Sequence, residues 1–400
     1  MYCVEPSPIS GRFRAPPSKP MAQRYIFASA IAEGATVVRG LEHSDDVVAA
    51  LRAAAPLSEI SLRGAEAVIR PRAPDPARAF NVGESGFTYR IATALYAGIP
   101  GKTVIYAAGS LARRPIAELV EALRKYAEVE QGPGFVKITG RRLGEVDVEV
   151  PGHITSQYIS GLMFLAAVAE RGGAIRVKGE RKSWQYVEAT ADVLRRFGAE
   201  VEVGEAITVE GPLRSPGSVE TPGDYALSAF YMVGASITGG RAVVEGLSEG
   251  PDKEILDVLK EFGVGVRAGE GFVEVEGPPK GPVDVDLANA PDLAPPVALL
   301  ASFTPGVSKI RGVEHLAYKE SNRIETIIDV VRRAGASAEY EDGALKIIGP
   351  AKNKGAEYKC HGDHRICLMA LVAAKALGGC VDDLSPIAKS WPTALLNLSG

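Results

Sequence analysis

Side-chain amides, thiols and long apolar runs are all scarce in this chain of 400 residues. Five asparagines and four glutamines leave few heat-labile amides, a composition that heat-adapted proteins share. The four cysteines, Cys3, Cys360, Cys367 and Cys380, are too few and too scattered for a disulfide framework or a zinc cluster. Buried thiols are expected, with a Cys360–Cys380 bridge as the alternative. No apolar stretch reaches the roughly 18–20 residues needed to cross a bilayer. The longest, 162–169 and 366–377, are short or carry a lysine. Residues 1–6 show neither an apolar signal core nor an Arg/Ser-rich transit pattern, so a soluble, cytoplasmic chain is expected. Positive charge is not in excess either. A formal net charge of −4 supplies no general basic surface for nucleic acid, so an anion site must be a local gathering of Lys and Arg. At 46% apolar and 24% charged residues the chain is not disordered, and its length allows two or three domains with an ample core.

What is abundant is repetition. Short Gly-led strands start at Gly34, Gly101, Gly173, Gly240, Gly306 and Gly379, at spacings of 67, 72, 67, 66 and 73 residues. Amphipathic helices follow most of them, with apolar residues at i, i+3, i+4 and i+7: Ile116, Leu119, Val120 and Leu123, then Ile255, Val258, Leu259 and Phe262, then Ile324, Ile327, Ile328 and Val331. Most of these helices run into a Gly stop and an alternating strand pair. A second helix, apolar on nearly every side and therefore buried, precedes each Gly-led strand, beginning near Met21, Gly86, Ser156, Tyr225, Leu293 and His364. The pattern predicts six copies of a βαβαββ-like α/β unit, three per domain. Turn residues near position 18 and at Thr221-Pro222-Gly223 mark the crossovers, giving domains of 18–221 and of 1–17 with 222–400.

Polar residues collect where the apolar helices begin: Ser18-Lys19-Pro20 with Arg24, Gly83-Glu84-Ser85-Gly86 with Arg90, and Thr155-Ser156-Gln157. The second half adds Gly223-Asp224, Pro291-Asp292 and Gly362-Asp363-His364-Arg365. A helix N-terminus offers free N–H groups and the positive end of the dipole to an anion. Each Ser, Thr or Asp alone also reads as an ordinary cap. Lys19, Arg90 and Arg365 do not, because a cap needs no cation. Connecting segments add Arg113-Arg114, Lys319 and Arg323, and Lys389. If the helix led by Ile324 extends backward, Lys319 and Arg323 share one face and could grip one anion.

Together these segments resemble the 3-phosphoshikimate 1-carboxyvinyltransferase (EPSP synthase) family of enolpyruvyl transferases over about residues 17–394. The matching pieces, in the family's order, are Ser18-Lys19 with Arg24, residues 83–90, Arg114-Pro115, Ser156-Gln157, Ser183-x-x-Tyr186, Pro291-Asp292, Lys319-Glu320 with Arg323, Asp363-His364-Arg365 and Lys389. The resemblance implies two pseudo-symmetric domains of three βαβαββ repeats each, an inside-out barrel arrangement with the active site in the interdomain cleft. It implies transfer of the enolpyruvyl group of phosphoenolpyruvate to the 5-hydroxyl of shikimate 3-phosphate with release of phosphate, on the route to chorismate and the aromatic amino acids. No metal or organic cofactor is expected, no nucleic-acid or membrane partner, and a monomer.

By the same resemblance, Lys19, Gly86, Arg90, Arg114, Gln157, Arg323, Arg365 and Lys389 would hold phosphoenolpyruvate. Lys19, Arg24, Thr155, Ser156, Gln157, Ser183, Tyr186, Asp292, His315 and Lys319 would hold shikimate 3-phosphate. Asp292 would take the 5-hydroxyl proton, Glu320 would protonate the vinyl carbon and later deprotonate the methyl, and Lys19 and Lys389 would serve the departing phosphate and the tetrahedral intermediate. Two phosphates and two carboxylates explain so many cations.

Four positions depart from the best-known bacterial pattern. Pro20 stands for a serine, Glu84 for an asparagine, Phe87 for a threonine and His315 for an asparagine. Glu84 and Phe87 are expected to repel or crowd anions at the phosphoenolpyruvate end. The nearest rival, enolpyruvyl transfer to a UDP-amino sugar, calls for an acid cysteine on a first-half loop. The matching stretch, Ala107-Ala108-Gly109-Ser110-Leu111-Ala112-Arg113-Arg114, has none. An RNA-end cyclase would want a basic surface, and a non-catalytic binder of anionic metabolites would not need Asp292, Glu320 and Lys389.

Overall fold

The computed structural model describes residues 1–398. The chain divides into two compact units, one of Pro17–Thr221 and one of Met1–Pro16 with Pro222 onward.

Within Pro17–Thr221 three four-stranded sheets repeat one plan. In the second, Ala77–Asn81 runs parallel to Gly101–Tyr106, which pairs antiparallel with Phe135–Gly140, itself the partner of Glu128–Gly132. The third follows the same order from Val146–Pro151. The first takes its parallel strand, Ser218–Glu220, from the far end of the unit and lays it beside Thr36–Arg39. Three helices, Lys19–Ile31, Gly86–Ala97 and Ser156–Ala167, fill the interior, and every residue of Gly86–Ala97 is buried. Gly161 makes close packing possible here: a Cβ would meet Ala94 Cβ at 3.0 Å and the Arg90 carbonyl oxygen at 3.1 Å. Amphipathic Gln185–Arg196 covers the third sheet with Val187, Ala191, Val193 and Leu194 turned inward.

The other unit repeats the plan around helices Tyr225–Thr238, Ala294–Ser302 and His364–Leu377. Its first sheet takes the parallel strand Gly11–Arg14 from the chain's beginning and pairs it with Arg241–Glu245. The Ala294 helix starts where its pattern predicts, next to Leu293. A 3-10 turn, Pro291–Leu293, comes first, and Pro295 and Pro296 occupy the first turn, where no donor N–H is required.

The sixth copy is not complete. Its sheet has three strands, Ala356–Tyr358, Gly379–Val381 and Tyr2–Val4. After Val381 the chain runs into the 3-10 turn Ser385–Lys389 instead of a hairpin, and the antiparallel strand is supplied by the first residues. The expectation of buried thiols is also overturned. Cys3 bonds to Cys380 and Cys360 to Cys367, not Cys360 to Cys380. Antiparallel pairing sets Cys3 directly opposite Cys380, and one turn into its helix Cys367 returns to Cys360. Among the described residues no helix is long and apolar enough to cross a membrane.

Candidate active site

In the Pro17–Thr221 unit the cations stand on or beside the N-terminal ends of the three buried helices. Lys19 opens its helix, and its ammonium lies 2.8 Å from the buried Asp46 carboxylate. Gln23, one turn on, donates through Nε2 to the Asp46 carbonyl, Ser85 Oγ and Thr88 Oγ1, tying this helix to the Gly-rich loop. Arg24 is fully buried. It donates to the Pro20 and Tyr186 carbonyls and to Thr190 Oγ1, at 2.8–2.9 Å. Its guanidinium lies 4.5 Å from the Phe87 ring centre and 5.7 Å from that of Tyr186. Burial pulls its pKa down to about 10, so it stays charged at neutral pH.

A second cluster surrounds Gly86. A Cβ there would stand 2.7 Å from Arg90 Nη1, 3.2 Å from Arg114 Nη1 and 3.6 Å from Gln157 Oε1, so the ends of these three side chains gather around the bare glycine. Arg90 donates to Gln157 Oε1 at 2.8 Å and to the Gly86 and Pro115 carbonyls at 3.2 Å. Thr155 caps its helix by accepting from the Gln157 N–H, and Ser156 is buried beside it. Ser183 holds a left-handed backbone at φ 54°, rare for serine, and its carbonyl accepts from the Tyr186 N–H.

In the other unit the cations meet carboxylates. Asp292 accepts from Arg323 Nη1 at 3.0 Å and from Arg365 Nη2 at 2.8 Å, and Lys319 Nζ lies 3.9 Å away. Arg323 also donates to Glu320 at 2.7 Å and through Nε to Asp363 at 2.8 Å. Lys389 Nζ lies 3.4 Å from the other Glu320 oxygen. Burial alone would raise the Asp292 pKa, but Arg365, Lys319 and Arg323 outweigh it and hold the carboxyl well below the usual range. Burial would likewise lower the Arg323 pKa, yet Asp363, Glu320 and Asp292 together raise it.

The helix behind Ile324 begins at Arg323, so Lys319 and Arg323 do not share a helical face. Ser321 and Asn322 break the run, and the two cations instead converge on one oxygen of Asp292. Asp292 does not serve as a helix cap. Its carboxylate is taken by guanidinium groups, whereas Asp224 and Asp363 do cap their helices. His315 sits half-buried on the 3-10 turn Glu314–Tyr318, ahead of Lys319. Two acids gain importance only in the folded chain: Asp46, 27 residues from Lys19, and Asp363, 40 residues from Arg323. Asp46 lies in the first turn of the helix Asp45–Ala54, and Asp363 reads in sequence only as a cap within its motif.

This combination of buried cations and paired carboxylates can hold several anionic groups and exchange protons with them. A model of the family described as EPSP synthase (3-phosphoshikimate 1-carboxyvinyltransferase) matches residues 4–398. The chain belongs to the EPSP synthase family. It is 35% identical to the 3-phosphoshikimate 1-carboxyvinyltransferase of Korarchaeum cryptofilum, over 99% of this chain and 97% of that one. With the protein of that name from Caldivirga maquilingensis the identity is 38%, over 92% and 90%. A solved EPSP synthase structure from Acinetobacter baumannii superposes with a TM-score of 0.81 at 25% identity, covering 100% of this chain and 97% of that one.

Three of the departures from the bacterial EPSP synthase pattern have local explanations. Pro20 lies in the first helical turn, where its missing N–H costs nothing, and its carbonyl receives Arg24. The Phe87 ring is buried against Arg24, which gives the larger side chain a packing role of its own. Glu84 is turned onto Ser110, whose hydroxyl donates to it at 2.8 Å. Nothing in the structure explains His315.

Proposed function

We propose that this protein transfers the enolpyruvyl group of phosphoenolpyruvate to the 5-hydroxyl of shikimate 3-phosphate and releases inorganic phosphate, as a monomer in the cytoplasm. The observation that carries the reading is the Asp292–Arg323–Glu320 array, two carboxylates that share one buried guanidinium with Arg365 and Lys389 alongside. In this reading Asp292 accepts the 5-hydroxyl proton as the hydroxyl oxygen bonds to C2 of phosphoenolpyruvate. Glu320, having first taken up a proton from solvent, gives that proton to the methylene carbon, producing the tetrahedral intermediate. Glu320 then takes a proton back from the methyl group as the C2–O bond to phosphate breaks, with Lys19 and Lys389 stabilising the leaving group.

Gly86, Arg90, Arg114, Gln157, Arg323 and Arg365 are assigned to phosphoenolpyruvate. Arg24, Thr155, Ser156, Gln157, Ser183, Tyr186, His315 and Lys319 are assigned to shikimate 3-phosphate. A carboxylate held so far below its usual pKa is a weak base while its cations remain on it. Substrate anions compete for those same donors, and each one drawn away restores basicity to Asp292. The test is phosphate release on mixing the protein with both substrates, with a UDP-amino sugar as control acceptor. Release with the control alone would overturn the reading, as would phosphate-dependent protection without any release.

A further inference from the structure

We infer that Glu84 and Ser110 form a latch that positions Arg114, and so sets the affinity for phosphoenolpyruvate. The latch rests on the assignment of Arg114 to that substrate. The Glu84 carboxylate accepts the Ser110 hydroxyl at 2.8 Å. Beside them lies Gly109 at φ 54°, where a Cβ would fall 1.9 Å from Glu84 Oε1 and 2.4 Å from its Cδ. The carboxyl head therefore rests directly on this turn, and a side chain at 109 would expel it.

The rest of the segment is fastened on both sides of Arg114. Ahead of it the Ala108 N–H donates to the Gly83 carbonyl at 2.8 Å, Leu111 is buried, and the Arg114 N–H donates to the Leu111 carbonyl. Behind it the Pro115 carbonyl receives Arg90 Nη2 and the Tyr158 hydroxyl. Burial pushes the Tyr158 pKa up to about 12, so that phenol keeps its proton and remains a donor. Arg114 thus projects from a short span with its backbone pinned at each end, toward the space beside Gly86. The Glu84–Ser110 contact adds a side-chain link between the Gly-rich loop and the turn ahead of Arg114.

Charge repulsion and latching make opposite predictions. If Glu84 acts by repelling the anion, Glu84→Gln tightens phosphoenolpyruvate binding. If it acts as a latch, Glu84→Gln keeps an acceptor for Ser110 and stays close to wild type. In the full-length protein, steady-state phosphate release should show Ser110→Ala and Glu84→Ala each raising KM for phosphoenolpyruvate roughly three- to tenfold. The turnover number and KM for shikimate 3-phosphate should stay within about twofold. Ser110→Thr should restore the wild-type KM. The double alanine variant should be no worse than the weaker-binding single, since both remove the same contact. Tighter binding in Glu84→Gln, additive effects in the double variant, or an unchanged KM in Ser110→Ala would overturn the latch. If the wild-type protein releases no phosphate, the functional reading fails. The latch is then judged by calorimetric titration with inorganic phosphate, where only weaker binding by Ser110→Ala than by wild type and Glu84→Gln supports it.

Discussion

The two halves of the chain hold their buried arginines differently. In Pro17–Thr221, Arg24 and Arg90 donate to carbonyl groups, a threonine hydroxyl and a glutamine amide, all neutral. In the other half, Arg323 and Arg365 donate to Asp292, Glu320 and Asp363. Neutral acceptors satisfy a guanidinium's hydrogen bonds without cancelling its charge, so the first half keeps a positive field for anions. Carboxylates cancel the charge and leave groups able to take and return protons. The first half thus holds its buried guanidinium groups on neutral acceptors and the second holds them on carboxylates, with the Lys19–Asp46 pair as the exception in the first.

The sharpest break would come at the acids. Asp292→Ala and Glu320→Ala should each lower the turnover number by about 10²–10⁴-fold with the circular dichroism spectrum unchanged. A near-normal rate from either variant refutes its proton-transfer role. Next comes the cost of stranding a cation. Asp363→Ala leaves Arg323 short of a buried partner and should destabilise by about 3–5 kcal/mol. Thr190→Val, which removes a neutral acceptor from Arg24, should cost about 1–3 kcal/mol. Chemical denaturation checks both, and equal losses would erase the distinction between the halves.

Acid should expose the same asymmetry. Because the folded pKa of Asp292 is depressed, its stabilisation is fully present above the unfolded value of about 3.9 and is lost as pH falls below it. Asp292→Asn should therefore flatten the acid limb of a plot of melting temperature against pH, and an unaltered limb counts against the pairing. The smallest effect is expected at Phe87. Phe87→Leu keeps an apolar side chain but removes the ring face from Arg24, which should raise KM for shikimate 3-phosphate roughly three- to tenfold. KM for phosphoenolpyruvate should not move. If it rises instead, the ring belongs to the other substrate's end.

Much of this is legible in the amino-acid sequence. Glycine punctuation and 3.6-residue periodicity are local, so the Gly-led strands at 101, 173, 306 and 379 and the amphipathic helices Ala117–Leu123, Ile255–Glu261 and Arg323–Arg333 follow directly from composition and spacing. Cations beside helix starts are equally visible, because a cap has no use for Lys19 or Arg90. Contacts set by tertiary approach are not. Nothing local links Asp46 to Lys19, or tells Phe87 to lie under Arg24. The Cys3–Cys380 pairing depends on which strand enters the last sheet, and its two cysteines lie 377 residues apart.

That distant pairing changes the molecule's connectivity. With Cys3 joined to Cys380, the backbone between them is a closed ring. A single peptide cut anywhere inside the ring opens it yet releases no fragment, so the two units stay on one covalent molecule through a nick that would divide a linear chain.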